Sequence, residues 1–219
     1  HGAPVSSQLS SGIRLIQIAW TLLAMSCFSI YAIIDAFWAP RAGPGTLASL
    51  GYSQRLIIGI GGLIIAGPSA ILTPRFAARL RDDGAPALMR EVIRTVLIVG
   101  SLAIGAALVL ALIASPLIGA AFGRGAFDVG DVARVAIVFR SMLPGFCSML
   151  ISVVLIRALY CFAAVERSMA MLGIGWSATY FIACGMLLPW GGIGFGISYS
   201  LAWFIYMVIA TLTLRRYAA

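Results

Sequence analysis

Apolar runs long enough to cross a lipid bilayer recur along this chain, and they constrain its fold more than any other feature. A bilayer core about 30 Å thick takes roughly 20 helical residues to cross. Backbone groups inside the core find no water, so each run must satisfy its own hydrogen bonds, as an α-helix does. With 62% hydrophobic and 10% charged residues, the composition is far from that of a soluble domain. We therefore predict an all-α integral membrane protein.

Turn-forming and charged segments divide the sequence into six predicted spans. Prolines and glycines interrupt the apolar pattern at 39–45, Asp128 is placed as a helix N-cap, and Pro189 begins a tight connection. Gly192 and Gly196, one helical turn apart, indicate close helix packing in the last span. The predicted membrane helices cover residues 13–38, 46–74, 92–118, 129–162, 169–188 and 193–214. We expect them to form a single six-helix transmembrane lobe over residues 1–219.

The basic residues are distributed unequally between the two ends of this predicted bundle. All 15 are arginines, set against 7 acids, which gives a net charge of +8. One side of the bundle carries Arg14, Arg75, Arg79, Arg81, Arg90, Arg94, Arg157, Arg167, Arg215 and Arg216. The other side carries Arg41, Arg124 and Arg134. Because cytoplasmic loops collect positive charge, this asymmetry predicts that both termini lie in the cytoplasm.

Several classes of function are disfavoured by what the sequence lacks. The positive charge belongs to loops rather than to a soluble basic domain, so a nucleic-acid partner is not expected. The cysteines lie singly in apolar runs, which indicates structural residues rather than a metal site. We find no nucleophile with a base, no carboxylate pair and no phosphate-cradling loop, so neither an enzyme nor a cofactor is expected.

Arg55 is the charged residue that the sequence places deepest in a predicted span. It lies about 13 Å along the second helix, at roughly 1.5 Å per residue, where an ionised side chain is expensive and faces a cavity or a partner. Gly51, Tyr52, Gly59 and Gly62 share its helix face. The small residues admit two interpretations. They could allow another helix to pack closely, or they could leave room for a ligand whose phosphate binds the guanidinium.

Three further residues are candidates for a membrane cavity. Arg140, about ten residues into the fourth span, could lie in a cavity mouth or extend to the headgroups, and Arg124 is the corresponding candidate in the preceding loop. Asp35 is an acid inside the first apolar run. It could be an interfacial acid, a partner for Arg55, or a site of proton or cation coupling.

Several motifs of the chain, in their order along the sequence, resemble those of the MviN/MurJ family of lipid II flippases in the MOP exporter superfamily. The segment 45–56, GTLASLGYSQRL, resembles the family's Gly-x-x-x-x-x-x-Tyr-Ala-x-Arg-Leu segment, and 71–74 resembles its Leu-Leu-Pro ending. The most specific signal is the segment 122–128, FGRGAFD, which is similar to the family's Arg-Gly-x-Phe loop. Arg157-Ala158-Leu159-Tyr160 is similar to its Arg-x-Phe-Tyr.

The resemblance implies that these six helices form the second of two lobes, with a cation-lined cavity between the lobes. It implies that Arg55 lies in that cavity with Tyr52 and Gln54, and that the pyrophosphate of an undecaprenyl-linked precursor binds there. The lobes would then rock, so that the headgroup is released outside while the lipid tail stays in the bilayer. The expected location is the bacterial cytoplasmic membrane, and the expected function belongs to peptidoglycan synthesis.

The sequence also departs from the family pattern. Gln54 stands where family members commonly carry an acid, and the first lobe is missing, so we expect a fragment or a chain that pairs with another lobe. Three alternatives stay open: a flippase for O-antigen or exopolysaccharide units, a membrane scaffold that transports nothing, and a drug/cation antiporter with Asp35 as its coupling acid.

Overall fold

The computed structural model of the chain describes the backbone of residues 11–123 and 127–218, and the side chains of these residues except 11–14, 25, 28 and 67–69. Regular structure throughout these residues is helical, which confirms the predicted all-α fold. The helices are α1 (Ser11–Ser29), α2 (Tyr31–Trp38), α3 (Thr46–Phe122), α4 (Val129–Leu159), α5 (Glu166–Met186) and α6 (Gly191–Ala218). Short 3₁₀ turns cover Ala39–Ala42 and Leu188–Trp190.

Helix α3 is a hairpin of two antiparallel arms, because the chain reverses at Gly84. Gly84 has φ 79° and ψ 179°, a conformation that L side chains rarely adopt. Arg75 and Glu91 form an ion pair across the reversal, although they would lie about 24 Å apart in a straight helix. At the far end of the arms, the rings of Tyr52 and Phe122 lie 4.8 Å apart. The first arm (46–83) and the second arm (85–122) therefore supply the second and third crossings.

The helices have the length and surface of membrane spans. Five stretches of the described chain are long and apolar enough to cross a bilayer, and a shorter apolar helix covers Leu15–Ala24 in α1. Large apolar side chains point outward on both arms of α3, with Leu63 83% and Leu112 81% exposed. Such a surface is stable in lipid rather than in water. The first predicted span corresponds to α1 followed by α2, so the chain makes about six crossings.

The helices pack in the order α3, α4, α6, α5, α1, since the principal contacts join these neighbours. Asp128 caps α4 as expected, because its side chain accepts from the Asp131 N–H at 2.7 Å while Asp131 accepts from the Asp128 N–H. Large buried side chains fill the centre, including Phe139, Phe146, Phe195 and Tyr206.

Helices α4 and α6 approach closely near Pro144, which lacks the N–H that would bond within the helix. The Ser200 hydroxyl accepts from the Gly145 N–H at 2.9 Å and donates to the Ser141 carbonyl at 2.8 Å. A Cβ on Gly145 would lie 2.6 Å from the Ser200 Cα, and one on Gly196 would lie 3.0 Å from the Val138 carbonyl. The predicted packing role of Gly196 agrees with this contact.

Candidate functional site

The connections between helices lie at two opposite ends of the bundle. The Pro40 end comprises the turns at 39–45 and 187–190 and the start of α4, since the two turns touch each other and Tyr52 contacts Phe127. The Gly84 end comprises the α3 reversal, the turn at 160–165 and the end of α6. There the Cys161 thiol donates to the Thr73 carbonyl, and Tyr217 bonds Ser168. The two ends match the alternate sides predicted from the sequence.

A cleft at the Pro40 end, which we call the Arg55 cleft, has a volume of about 750 Å³. Its walls are the turn after α2 and the beginning of α3. The turn is shaped by Gly43 at φ 118° and Gly45 at φ 78°, two positive values that glycine adopts without strain. The lining residues are Pro40, Gly43, Pro44, Gly45, Leu47, Ala48, Gly51, Tyr52 and Arg55.

The side chain of Arg55 is exposed to this cleft. Its guanidinium carbon lies 5.9 Å from the centroid of the Tyr52 ring. Among the described residues, no carboxylate or hydrogen-bond acceptor pairs with it. The predicted alternative of a charge pair with Asp35 is therefore not seen. The guanidinium is free to bind an anion in the cleft.

The glycine stripe beside Arg55 lies in open space. A Cβ placed on Gly51, Gly59 or Gly62 would meet no atom within 4 Å. No helix of the described chain therefore packs on this stripe. Within the described chain the stripe therefore leaves room beside Arg55, and both interpretations from the sequence stay predictions, since a helix of another lobe could pack there.

Tyr52 separates the Arg55 cleft from a second, smaller cleft. Its ring packs on Phe122 at 4.8 Å and on Phe127 at 5.3 Å, between centroids. The second cleft, of about 420 Å³, contains Arg134, whose guanidinium is paired with Asp131 at 2.5 Å. The arginines that line the two clefts therefore differ, since Arg134 is paired with an acid and Arg55 is not.

Gln54 faces the opposite way from Arg55, into the interior of the bundle. Its amide Nε2 donates to Asp35 Oδ2 at 2.5 Å, and the Tyr180 hydroxyl donates to Asp35 Oδ1 at 2.6 Å. Asp35 is 3% exposed, so it is a buried carboxylate rather than a solvent-facing one. The three side chains join α2, α3 and α5. Sequence reasoning missed Tyr180, which lies in an apolar helix with no local signal of a polar partner.

Arg140 is not among the residues that line the Arg55 cleft. Arg140 Nε donates to the Ala111 carbonyl at 2.9 Å, and its Nη2 donates to the Ser115 hydroxyl at 3.3 Å, so its guanidinium ties α4 to the second arm of α3. Arg124 lies outside the described residues. Its predicted place at a cavity mouth stays a prediction.

These features define a multi-span helical membrane protein with a cleft at one end of the bundle, in which the Arg55 guanidinium has no partner among the described residues. A family model described as lipid II flippase MurJ matches residues 7–219. The chain therefore belongs to the MurJ family, whose members are lipid transporters rather than enzymes. It is a multi-pass protein of the inner membrane. No curated protein and no solved structure matched the chain.

Proposed function

We propose that this chain takes part in flipping lipid II, the lipid-linked peptidoglycan precursor, and that Arg55 binds the pyrophosphate. The observation that carries the proposal is the unpaired Arg55 guanidinium in an open cleft. An arginine at membrane depth is costly unless an anion or water accompanies it. Its planar donor fork matches phosphate oxygens, so an anionic lipid headgroup compensates the charge during transport.

A second lobe is part of this proposal. The Arg55 cleft is open on one side, and a single lobe cannot enclose a headgroup by moving against itself. We infer that the partner is another six-helix lobe, supplied by the same polypeptide or by a second chain. Tyr52 and Gln54 then have different tasks. Tyr52 forms the cleft wall beside Arg55, while Gln54 holds α3 against Asp35.

We propose an orientation of the chain in the membrane from its charge distribution. The direction of transport follows from that orientation. The Gly84 end carries the larger set of arginines, including Arg157, Arg167, Arg215 and Arg216. By the positive-inside tendency this end faces the cytoplasm. The Arg55 cleft then lies toward the outer face, where the headgroup is released.

We also propose that Asp35 couples protonation to movement of the lobe. Both of its oxygens already accept hydrogen bonds from neutral donors, Gln54 and Tyr180. A metal cation would have to displace one of these donors, whereas a proton needs a single lone pair. Because Gln54 is adjacent to Arg55, a change at Asp35 is transmitted to the helix that carries the binding arginine.

Growth rescue separates the candidate headgroups. The chain joined to a family first lobe should restore growth of cells that have lost their own lipid II flippase. The alternative substrate, an O-antigen or exopolysaccharide unit, predicts no rescue of growth but rescue of surface polysaccharide. If the chain is a scaffold that transports nothing, neither growth nor surface polysaccharide should be restored, and Arg55→Ala should have no effect. Failure of a folded two-lobed protein to support growth would exclude lipid II as its substrate.

A further inference from the structure

A groove near the Gly84 end lies between α1 and the first arm of α3. Helix α1 packs on α5, while α3 packs on α4, so a gap of about 300 Å³ remains between the two pairs. Its apolar walls come from all five neighbouring elements. They are Ala24, Ile65, Val153, Ile156, Met169 and Tyr206.

Arg157 and Tyr160 also line this groove. Both lie at the end of α4, which stops at Leu159, and Tyr160 is 48% exposed. Val153 lies one turn deeper, about 6 Å along the helix. Tyrosine and arginine are typical of the boundary between the hydrocarbon and the headgroups. The site is therefore amphipathic, with a charge at the membrane surface and an apolar slot below it.

The half-buried Arg157 guanidinium has no ion-pair or hydrogen-bond partner among the residues whose side chains are described. Three other arginines near this end are paired: Arg75 with Glu91, Arg79 with Asp83, and Arg81 with Asp82. The apolar walls of the groove supply no counter-charge. An anion at Arg157 must therefore come from outside the described chain.

We propose that this groove binds one anionic glycerophospholipid, with its phosphate on Arg157 and one acyl chain in the apolar slot. The charge of the guanidinium selects an anionic headgroup, and the slot selects a lipid over a free phosphate ion. The basic Gly84 end attracts such lipids to this face. A bound lipid joins α1 to the first arm of α3, two elements that otherwise have few contacts.

The proposed lipid site is separate from the Arg55 cleft. Ile65, in the wall of the groove, lies ten residues beyond Arg55, or about 15 Å along α3. A single phosphate cannot contact Arg55 and Arg157 together. The lipid site therefore does not depend on the proposed transport function, and its occupant belongs to the opposite leaflet.

Native mass spectrometry of the purified chain in detergent tests this site. Dioleoyl-phosphatidylglycerol and dioleoyl-phosphatidylcholine are added in turn, together with glycerophosphoglycerol, which has the headgroup without the tails. Arg157→Gln removes the charge, and Val153→Trp fills the slot. The matched controls are Arg167→Gln, an exposed arginine at the same end, and Leu112→Trp on the outer surface. Circular dichroism verifies that each variant is folded.

We expect one retained phosphatidylglycerol molecule, with binding about tenfold weaker in Arg157→Gln, the loss typical of one charge-assisted hydrogen bond. Val153→Trp should also weaken binding, while both controls should match the unsubstituted chain. If Arg157→Gln does not fold, the test is the comparison of phosphatidylglycerol binding between Val153→Trp and Leu112→Trp, and equal binding by these two variants would overturn the proposal. Equal retention of phosphatidylcholine, equal competition by the tail-free headgroup, or equal loss in Arg167→Gln would overturn the proposal.

Discussion

The amide of Gln54 lies 2.5 Å from the carboxylate of Asp35 and donates a hydrogen bond to it inside the bundle. The next residue, Arg55, lies in the cleft on the other side of the same helix. Two consecutive residues of α3 therefore face different surroundings: Gln54 lies in the interior of the bundle, and Arg55 lies in the proposed ligand site. The hydrogen bond, together with the packing of α3 on α4, holds the face of α3 that carries Arg55 toward the cleft.

Gln54→Leu should destabilise the folded lobe by about 1–3 kcal/mol, because it leaves one oxygen of the buried Asp35 without a donor. Thermal unfolding in detergent measures the loss. Gln17→Leu is the control, since Gln17 is exposed on α1. The double variant Asp35→Leu with Gln54→Leu should cost less than the sum of the two single changes. Additive costs would contradict an interaction between these side chains.

Asp35→Asn tests the proposed coupling. Asparagine has nearly the same shape as aspartate and still offers one acceptor to Tyr180 or Gln54, but it cannot exchange a proton in this role. We expect a folded protein whose transport no longer responds to the proton gradient. The readout is flipping in vesicles with and without an imposed gradient. A gradient response equal to that of the unsubstituted protein would remove Asp35 from the mechanism.

Gly145→Ala should destabilise the contact between α4 and α6. The added Cβ would lie 2.6 Å from the Ser200 Cα, so the two helices must separate. Overpacking of this kind costs about 1–3 kcal/mol. Gly105→Ala is the matched control, because no atom lies within 4 Å of its Cβ position and alanine favours a helix. We expect a lower Tm for Gly145→Ala and an unchanged or higher Tm for Gly105→Ala.

Cysteine labelling tests the orientation. Pro44→Cys and Asp82→Cys place exposed thiols at the Pro40 end and the Gly84 end, respectively. The background should lack the four native cysteines, of which Cys27 and Cys184 are buried. A membrane-impermeant maleimide applied to cells with a permeabilised outer membrane should label position 44 but not position 82 until the inner membrane is opened. The reverse pattern would place the arginine-rich end outside.

Local patterns predicted much of the fold but few of the contacts between distant residues. The apolar runs predicted about six crossings, and Asp128 before an apolar run predicted the helix cap. The reversal at Gly84 lies between the second and third predicted spans, as expected, but its sharpness depends on the backbone conformation of this one glycine. The sequence did not identify the partner of Asp35, because hydropathy does not show which helices contact each other. Tyr180 is 145 residues away from Asp35 in sequence.

The exposure of Arg55 could be anticipated in part. Its depth in the second span indicated a cavity or a partner, and the resemblance to the MurJ family favoured the cavity. The sequence could not separate helix packing from ligand space at Gly51, Gly59 and Gly62, since small residues serve both. The choice depends on the path of neighbouring helices, and no helix of the described residues packs on this stripe.

Whether Arg55 binds the lipid pyrophosphate can be measured as retention of lipid II in the native mass spectrum of the chain paired with a family first lobe. Arg55→Ala is compared with Arg41→Ala, which also removes one positive charge at the Pro40 end but whose guanidinium lies 4.1 Å above the Phe37 ring. We expect lipid II to stay bound to the unsubstituted protein and to Arg41→Ala, and its retention to fall about tenfold or more in folded Arg55→Ala. Equal retention by Arg55→Ala and Arg41→Ala would contradict this expectation.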